Sequence, residues 1–200
     1  MQTKYVMPYI DNNFASFKGL VRLLHTEMGA RIGLDGEYRQ VDLVRAERLV
    51  FVCRGNICRS PFGEYVARRH GIPSAGFGLS TTTGVPALDL GVETALERGV
   101  DMRSHLTTDF TDFRVLNTDL LLVMELRHAH QLKVMLGDSS AQIALLGNWA
   151  RPRRLHIHDP HIHGKAYFER CYAIIENATE NLIKQYRAQR AFMPRESEGH

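Results

Sequence analysis

The chain has 200 residues, 44% hydrophobic and 24% charged, which is typical of a folded globular domain and excludes disordered, collagen-like and coiled-coil classes. Its formal net charge is only +3, from 25 basic and 22 acidic residues, and this gives little support to a nucleic-acid partner. The sequence has no apolar run long enough for a membrane span or a signal peptide and an odd number of cysteines, 3, so we expect a cytoplasmic protein without a membrane partner.

Residues 1–46 are predicted to form a helical extension. Asn12 or Asn13 can begin the helix and Gly29 can end it. Apolar side chains recur between them at helical spacing, at Phe14, Phe17, Leu20, Val21, Leu24 and Met28. One helix cannot bury its own apolar stripe, so we expect it to pack on the main domain or on a partner subunit, which would give a homo-oligomer. A structural appendage is favoured over a regulatory lid.

Residues 47–193 are predicted to form the main domain, in which strands alternate with helices. The strands are expected at Leu49 to Cys53, Ile72 to Gly78, Asp119 to Glu125 and Gln142 to Gly147. The helices are expected at Ser60 to Arg69, Leu88 to Arg98, Arg127 to Met135 and about Ala166 to Arg187. This alternation predicts an α/β fold of three layers with a central parallel sheet of about four strands. The tail, residues 194–200, is expected to be disordered or a remnant of cloning.

The segment CRGNICRSP, from Cys53 to Pro61, follows a predicted strand and begins a helix. Backbone N–H groups at a helix N-terminus form an anion cradle, to which the helix dipole adds about half a positive charge. The phosphate-binding residues are expected to be Arg54, Gly55, Asn56, Ile57, Cys58 and Arg59. Arg59 would close the loop with a planar fork for two phosphoryl oxygens, and the same field favours a thiolate at Cys53. The segment therefore predicts a phosphate-binding loop with a nucleophilic cysteine.

This loop resembles the signature of the low-molecular-weight protein tyrosine phosphatases, C-x-G-N-I-C-R-S-P. Further similarities follow in chain order, namely SAG at Ser74 to Gly76, SH at Ser104 to His105, DLLLVME at Asp119 to Glu125 and DP at Asp159 to Pro160. The resemblance covers about residues 47 to 190 and leaves out the N-terminal extension. It implies hydrolysis of phosphotyrosine through a phosphocysteine intermediate, with no cofactor or metal. Its implied partner is a tyrosine-phosphorylated protein, such as a bacterial tyrosine kinase of exopolysaccharide export.

The resemblance also assigns site residues. Cys53 is the expected nucleophile, Arg59 the phosphate ligand and Asp159 the general acid. Ser60 is expected to hydrogen-bond the Cys53 sulfur and favour its thiolate. The residues expected to support the loop through hydrogen bonds are Asn56, Ser74 and His105. Cys58 shares the tight loop with Cys53, so we expect the two sulfurs to form a disulfide on oxidation, as the resemblance also implies.

The substrate slot departs from the family pattern. His161 and Ile162 replace the tyrosines that usually follow the DP pair, and Arg54 holds the variable loop position. Phe77 or His161 is expected to stack on an aryl ring, and Arg54 to favour acidic neighbours in the substrate. The histidines of IHDPHIH leave open whether a metal binds at His156, His158, His161 and His163.

Three other functions remain as alternatives. An arsenate reductase on the same fold needs further cysteines to relay a disulfide, and only Cys171 follows Cys58. A protein arginine phosphatase usually carries Thr at the position of Ile57. A phosphotyrosine-binding module without turnover would need neither a nucleophile nor an acid.

Overall fold

The computed structural model describes residues 16–31, 33 and 36–192. Its strands are β1 (Arg48–Cys53), β2 (Ser74–Gly78), β3 (Asp119–Val123) and β4 (Gln142–Leu145). Its helices are α1 (Phe17–Arg31), α2 (Arg59–Arg69), α3 (Asp89–Glu97), α4 (Leu126–Leu136) and α5 (Lys165–Ala191). The predicted start of the first helix at Asn12 or Asn13, the side chain of Phe14 and the tail at 194–200 lie outside the described residues.

The four strands form one parallel sheet in the order β2-β1-β3-β4. This confirms the predicted α/β fold. β1 lies between β2 and β3, with Val50 beside Ala75 on one side and Leu121 on the other. All five residues of β3 are buried, as expected for a strand covered on both faces. The carboxyl ends of β1 and β3 therefore lie next to each other at one edge of the sheet.

Helices cover both faces of the sheet. Because alternate residues of each strand point to opposite faces, each strand contributes side chains to two hydrophobic cores. Leu49, Phe51 and Cys53 of β1 belong to the core shared with α2, α3 and α5. Val50 and Val52 belong to the core on the other face, where α4 packs. The sheet is thus the middle of three layers.

Several predicted boundaries differ from the structure by one or more residues, and two of the differences have an identifiable cause. β4 ends at Leu145 and continues as a short 3-10 turn, in which Gly147 accepts a close approach from the main chain of Arg154 that a Cβ would block. α5 continues beyond the predicted end at Arg187, since Arg190 Nη1 donates to the carbonyl oxygens of Val44 (3.1 Å) and Ala46 (2.9 Å). Tertiary contacts, which no local pattern reveals, set both ends.

α1 packs on the main domain, but not through the predicted apolar stripe. Phe17, Val21, Leu24 and Met28 are between 47% and 63% exposed. The face turned to the domain includes the buried Gly19 and the half-buried Leu23 and Glu27 instead. The main domain therefore does not cover the stripe, and its other predicted location, against a partner subunit, stays a prediction. The surface beneath α1 instead makes polar contacts with Glu27. Among the described helices, none is long and apolar enough to span a membrane.

Candidate active site

The loop between β1 and α2 wraps around the sulfur of Cys53. Cys53 is the last residue of β1 and is 2% exposed. Its Sγ accepts the N–H of Asn56 at 3.3 Å and lies 3.0 Å from Ser60 Oγ. Asn56 Nδ2 donates to the same Ser60 oxygen at 2.9 Å, which leaves the Ser60 hydroxyl free to donate to the sulfur. Two donors thus converge on the Cys53 sulfur, where they can stabilise negative charge.

Asn56 fixes the shape of this loop. It has a positive φ of 52°, a conformation that Asn tolerates better than most residues. Its Oδ1 accepts the N–H of Thr108 at 2.9 Å, and its carbonyl oxygen accepts His105 Nε2–H at 2.8 Å. Burial lowers the pKa of His105, so the ring is a neutral donor. The predicted supports Asn56 and His105 therefore both touch the loop.

Ser74 is placed differently from the prediction, because its hydroxyl does not reach the loop. It donates to the carbonyl oxygen of Glu64 in α2 at 3.2 Å. The loop is instead supported from α5, where Tyr172 Oη donates to the carbonyl of Cys58 at 3.1 Å. The Tyr172 ring stacks on Phe62 of α2 with centroids 3.9 Å apart. Ser74 thus acts on the helix that follows the loop.

Arg59, the first residue of α2, is 1% exposed and lies between two carboxylates. Its Nη1 is 2.7 Å from Glu125 Oε1 and its Nη2 is 2.8 Å from Asp159 Oδ2. Nη1 also donates to the carbonyl of Ile157 at 3.0 Å. Burial alone would lower the pKa of Arg59, but the neighbouring acids Asp159, Cys53 and Glu125 raise it, so the guanidinium stays charged. The buried Nε has no hydrogen-bond partner in the described part of the chain, and a phosphoryl oxygen would supply one.

Glu125 is a site residue that the sequence prediction missed. It is 1% exposed and follows β3 at the sheet edge where β1 ends in Cys53. Besides Arg59, it contacts Arg127 at 2.7 Å and has His128 and His156 at 3.6 and 3.7 Å. Although burial acts to raise its pKa, Arg59 and the other cations hold that pKa well below its usual range. The available signal was topological, since carboxyl ends of neighbouring parallel strands meet at one edge.

Asp159 lies in a segment without helix or strand, residues 153–163, which we call the acid loop. Its side chain is 35% exposed, and its Oδ1 accepts the N–H of His161 at 3.2 Å. Together with the phosphate loop it borders a cavity of about 230 Å³. The lining residues are Cys53, Arg54, Gly55, Ile57, Cys58, Arg59, Ser80, Asp159 and His161. The three predicted catalytic residues thus face one cavity.

The residues at the entrance of this cavity bear on the prediction that Phe77 or His161 stacks on the aryl ring of the substrate. Phe77 is fully buried and packs on Phe113 at 4.6 Å between ring centroids, so the prediction that it stacks on a substrate ring is wrong. Its position in β2 points it into the core on the α4 face of the sheet. His161 does line the cavity, as do the exposed Arg54 and Ser80. The entrance is therefore more polar than an aromatic slot.

The histidines around the acid loop form contacts with one another. His156 Nε2 lies 3.3 Å from His158 Nδ1, and the rings of His158 and His163 are 5.6 Å apart. Within the described residues, no group of three or more His, Cys, Asp or Glu side chains is arranged to hold a metal ion. Burial lowers the pKa of both His156 and His128 to about 4 despite the nearby Glu125.

These two buried histidines predict that acidification destabilises the fold. The unfolded chain binds protons near pH 6.5, whereas the folded histidines stay neutral down to about pH 4. The free energy of unfolding is therefore expected to fall by on the order of a few kcal/mol between pH 7 and pH 4.5. Urea unfolding at stepped pH measures this. The decrease in the free energy of unfolding with falling pH should be smaller in a His128→Asn/His156→Asn variant. It should be unchanged in the control His25→Asn, which replaces an exposed histidine. A wild-type free energy of unfolding that is the same at pH 6.5 and pH 5 would contradict the prediction.

Comparison with known proteins places these features in a family. A family model described as low molecular weight phosphotyrosine protein phosphatase matches residues 48–191. The low molecular weight protein-tyrosine-phosphatase Etp of Escherichia coli K12 is 30% identical over 139 residues, which cover 68% of this chain and 93% of Etp. The structure of the tyrosine phosphatase Wzb from Escherichia coli K30 in complex with sulphate is similar with a TM-score of 0.62 at 26% identity, covering 70% of this chain and 98% of Wzb.

The same fold occurs in a phosphatase of a different substrate class. The YwlE arginine phosphatase from Geobacillus stearothermophilus has a TM-score of 0.64 at 18% identity, covering 77% of this chain and 99% of YwlE. This likeness concerns the fold alone, whereas the family model spans the phosphate-binding loop, β3 with the Glu125 that follows it, and the acid loop. The chain belongs to the family of low-molecular-weight protein tyrosine phosphatases.

Proposed function

We propose that this phosphatase hydrolyses phosphotyrosine in proteins with Cys53 as the nucleophile, Arg59 as the phosphate ligand and Asp159 as the general acid. One observation supports it most: Arg59 is held by Glu125 and Asp159 at the mouth of a loop whose donors converge on the Cys53 sulfur. A buried cation, a nucleophile and a carboxylate at one cavity are what phosphoryl transfer requires.

In the first step the Cys53 thiolate attacks phosphorus and forms an S–P bond while the P–O bond to tyrosine breaks. Arg59 and the loop N–H groups stabilise the charge on the three remaining oxygens. Asp159, about a third exposed at the cavity, donates its proton to the leaving phenolic oxygen. The products are a phosphocysteine and tyrosine.

In the second step water attacks the phosphocysteine. Asp159, now a carboxylate, accepts a proton from that water, and the S–P bond breaks with return of the electron pair to sulfur. Ser60, 3.0 Å from the sulfur, stabilises the thiolate that leaves. Inorganic phosphate is released, and no group in this cycle requires a cofactor or a metal.

A parallel turnover assay on phosphotyrosine, phosphoserine and phosphoarginine peptides tests the substrate class. We expect phosphotyrosine to be preferred, because the cavity is bordered by Ile57 and His161 and places the acid near its rim. The arginine phosphatase alternative rests on the shared fold and predicts preference for phosphoarginine. Ile57, which offers no hydroxyl and narrows the cavity, supports the tyrosine substrate.

The other two alternatives are less well supported by the geometry. A disulfide relay of the arsenate reductase type would have to use Cys171, which is fully buried in α5 and whose thiol pKa is raised by burial. A binding module without turnover would leave the convergence of Cys53, Arg59 and Asp159 without a purpose. Turnover of phosphotyrosine with no arsenate-dependent thiol oxidation would exclude both.

The proposed partner is a tyrosine-phosphorylated protein, and a bacterial tyrosine kinase is the type that the resemblance implies. Arg54 is exposed at the cavity entrance, where it would favour acidic residues beside the phosphotyrosine. Catalytic efficiency on peptides with acidic or neutral flanks, measured for wild type and Arg54→Ala, tests this. Equal efficiencies in the wild type would contradict it.

The compartment and assembly are also proposals. All three cysteines are free thiols, which supports a reducing compartment such as the cytoplasm. The exposed apolar stripe of α1 supports a homo-oligomer formed through this helix. Analytical ultracentrifugation of wild type and Leu24→Glu is expected to show an oligomer that the charge dissociates, and a monomeric wild type would refute it.

Oxidation should trap Cys53 in a recoverable form. Cys58 is 2% exposed in the same loop as Cys53, so its thiol is placed to condense with a sulfenic acid on Cys53, although burial and the nearby Asp159 raise the pKa of Cys58. We expect peroxide to inactivate the wild type reversibly through a Cys53–Cys58 disulfide and to inactivate an otherwise active Cys58→Ser irreversibly. Peptide mapping after peroxide and dithiol checks it. A disulfide to Cys171, or full recovery of Cys58→Ser, would refute the protective role.

A further inference from the structure

The helix α1 lies on the outer side of the acid loop, although it falls outside the segment that the family model matches. Gly19 and Leu23 of α1 face His156, His158 and other residues across a gap of only about 10 Å³. The contact is thus close-packed, and it involves the loop that holds Asp159 rather than a remote surface.

Glu27 makes the polar part of this contact. Its Oε1 accepts the backbone N–H of Leu155 at 3.2 Å, and its Oε2 lies 3.5 Å from Arg153 Nη2. The Glu27 side chain is 29% exposed, so the bond to Leu155 is partly shielded from water. A carboxylate that accepts a backbone N–H makes a charge-assisted bond, which is stronger than a neutral one.

Two residues after Leu155, the acid loop is hydrogen-bonded through Ile157 to the sheet and to Arg59. Ile157 donates its N–H to the Met124 carbonyl at 2.9 Å, and its own carbonyl accepts Arg59 Nη1 at 3.0 Å. Asp159 follows two residues later. The acid loop therefore runs between Glu27 on one side and the sheet edge with Arg59 on the other.

We propose that Glu27 is a positioning residue for the general acid. The acid loop has no helix or strand of its own, so the position of Asp159 depends on these contacts together with its ion pair to Arg59. Misplacement of a reacting group by about 1 Å can cost on the order of a hundredfold in rate. This proposal rests on the proposed role of Asp159, and it replaces the sequence-based expectation that α1 is only a structural appendage.

The test compares two substrates with the full-length protein. Glu27→Ala is expected to lower kcat/KM about 5- to 20-fold for a phosphotyrosine peptide but less than about twofold for an aryl phosphate with a strongly acidic phenol, which needs little protonation. Glu27→Gln keeps an acceptor for the Leu155 N–H and should restore most of the loss. Glu169→Ala, which removes an exposed carboxylate of α5, is the matched control and should change neither value.

A double variant, Glu27→Ala with Asp159→Asn, distinguishes the positioning role of Glu27 from the proposed role of Asp159 as the general acid. If Glu27 acts through Asp159, adding Glu27→Ala to Asp159→Asn should cause no further loss on phosphotyrosine. Equal losses on both substrates, or additive losses in the double variant, would overturn the positioning role while leaving Asp159 as the acid. A lack of leaving-group dependence in Asp159→Asn itself would instead overturn the proposed function. Circular dichroism and the Gln variant ensure that a folding defect is not taken for support.

Discussion

Cys53→Ser is expected to abolish turnover of phosphotyrosine while the protein still binds inorganic phosphate or vanadate. The hydroxyl of serine is a poor nucleophile without a base, and the groups that contact the sulfur position, the Asn56 N–H and the Ser60 hydroxyl, are hydrogen-bond donors to it. We expect kcat to fall at least about 10³-fold, as for other enzymes that lose their nucleophile. The cradle for the anion persists, because Arg59 and the loop backbone are unchanged.

The control for this variant is Cys171→Ala, which removes the buried thiol of α5. It should keep near wild-type turnover, since, among the described residues, Cys171 lines no part of the cavity and its thiol makes only a long bond, of 3.8 Å, to the carbonyl of His158. Phosphate binding by calorimetry and turnover by phosphate release are the two measurements. Turnover by Cys53→Ser above a few per cent of wild type would show that another group attacks phosphorus.

Asp159→Asn is expected to slow phosphotyrosine hydrolysis about 10²- to 10⁴-fold, which is the range for loss of a general acid. The amide has no acidic proton to give the leaving oxygen, although it can still lie beside Arg59. An aryl phosphate with a strongly acidic phenol should lose much less, because its leaving group departs as an anion. The amplitude and rate of the pre-steady-state phenol burst measure this step directly.

Asp101→Asn provides the control for that substitution. Asp101 is an exposed aspartate paired with Arg103 at 2.7 Å and does not line the cavity, so both substrates should be hydrolysed at the wild-type rate. If Asp159→Asn lowered the burst rate by the same factor for both substrates, its carboxylate would not be the proton donor.

The phosphate loop was predictable because its chemistry lies in consecutive residues. Cys53 to Arg59 specify a strand end, a turn and a helix start, each with a residue type suited to that position, and the structure places them so. The parallel sheet was predictable for a similar reason, since apolar runs such as LVFVC alternate with helical patterns. Local signals of this kind do not depend on knowing the tertiary contacts.

The residues that were missed or misplaced depend on contacts between distant segments. Glu125 acquires its role only because β3 lies beside β1, so that its carboxylate meets Arg59 from 66 residues away. Phe77 looked available for a substrate ring, but the pleat of β2 turns it into the core. α1 has an apolar stripe that suggested a docking face, whereas Glu27 and the loop beneath it fix the opposite side. In each case the segment that the residue contacts could not be identified from the sequence.

The hydrogen bond from Tyr172 to the Cys58 carbonyl has a consequence for biosynthesis. It joins residues 114 positions apart, and Tyr172 belongs to the last helix of the described chain. At roughly 5–20 residues per second, the ribosome needs on the order of ten seconds to add that intervening stretch. During this time the loop that contains Cys53 and Cys58 lacks its hydrogen bond from Tyr172. The Cys53 thiol is therefore synthesised well before the loop around it is complete. The ability to cleave phosphate esters is therefore acquired only after α5 has been synthesised.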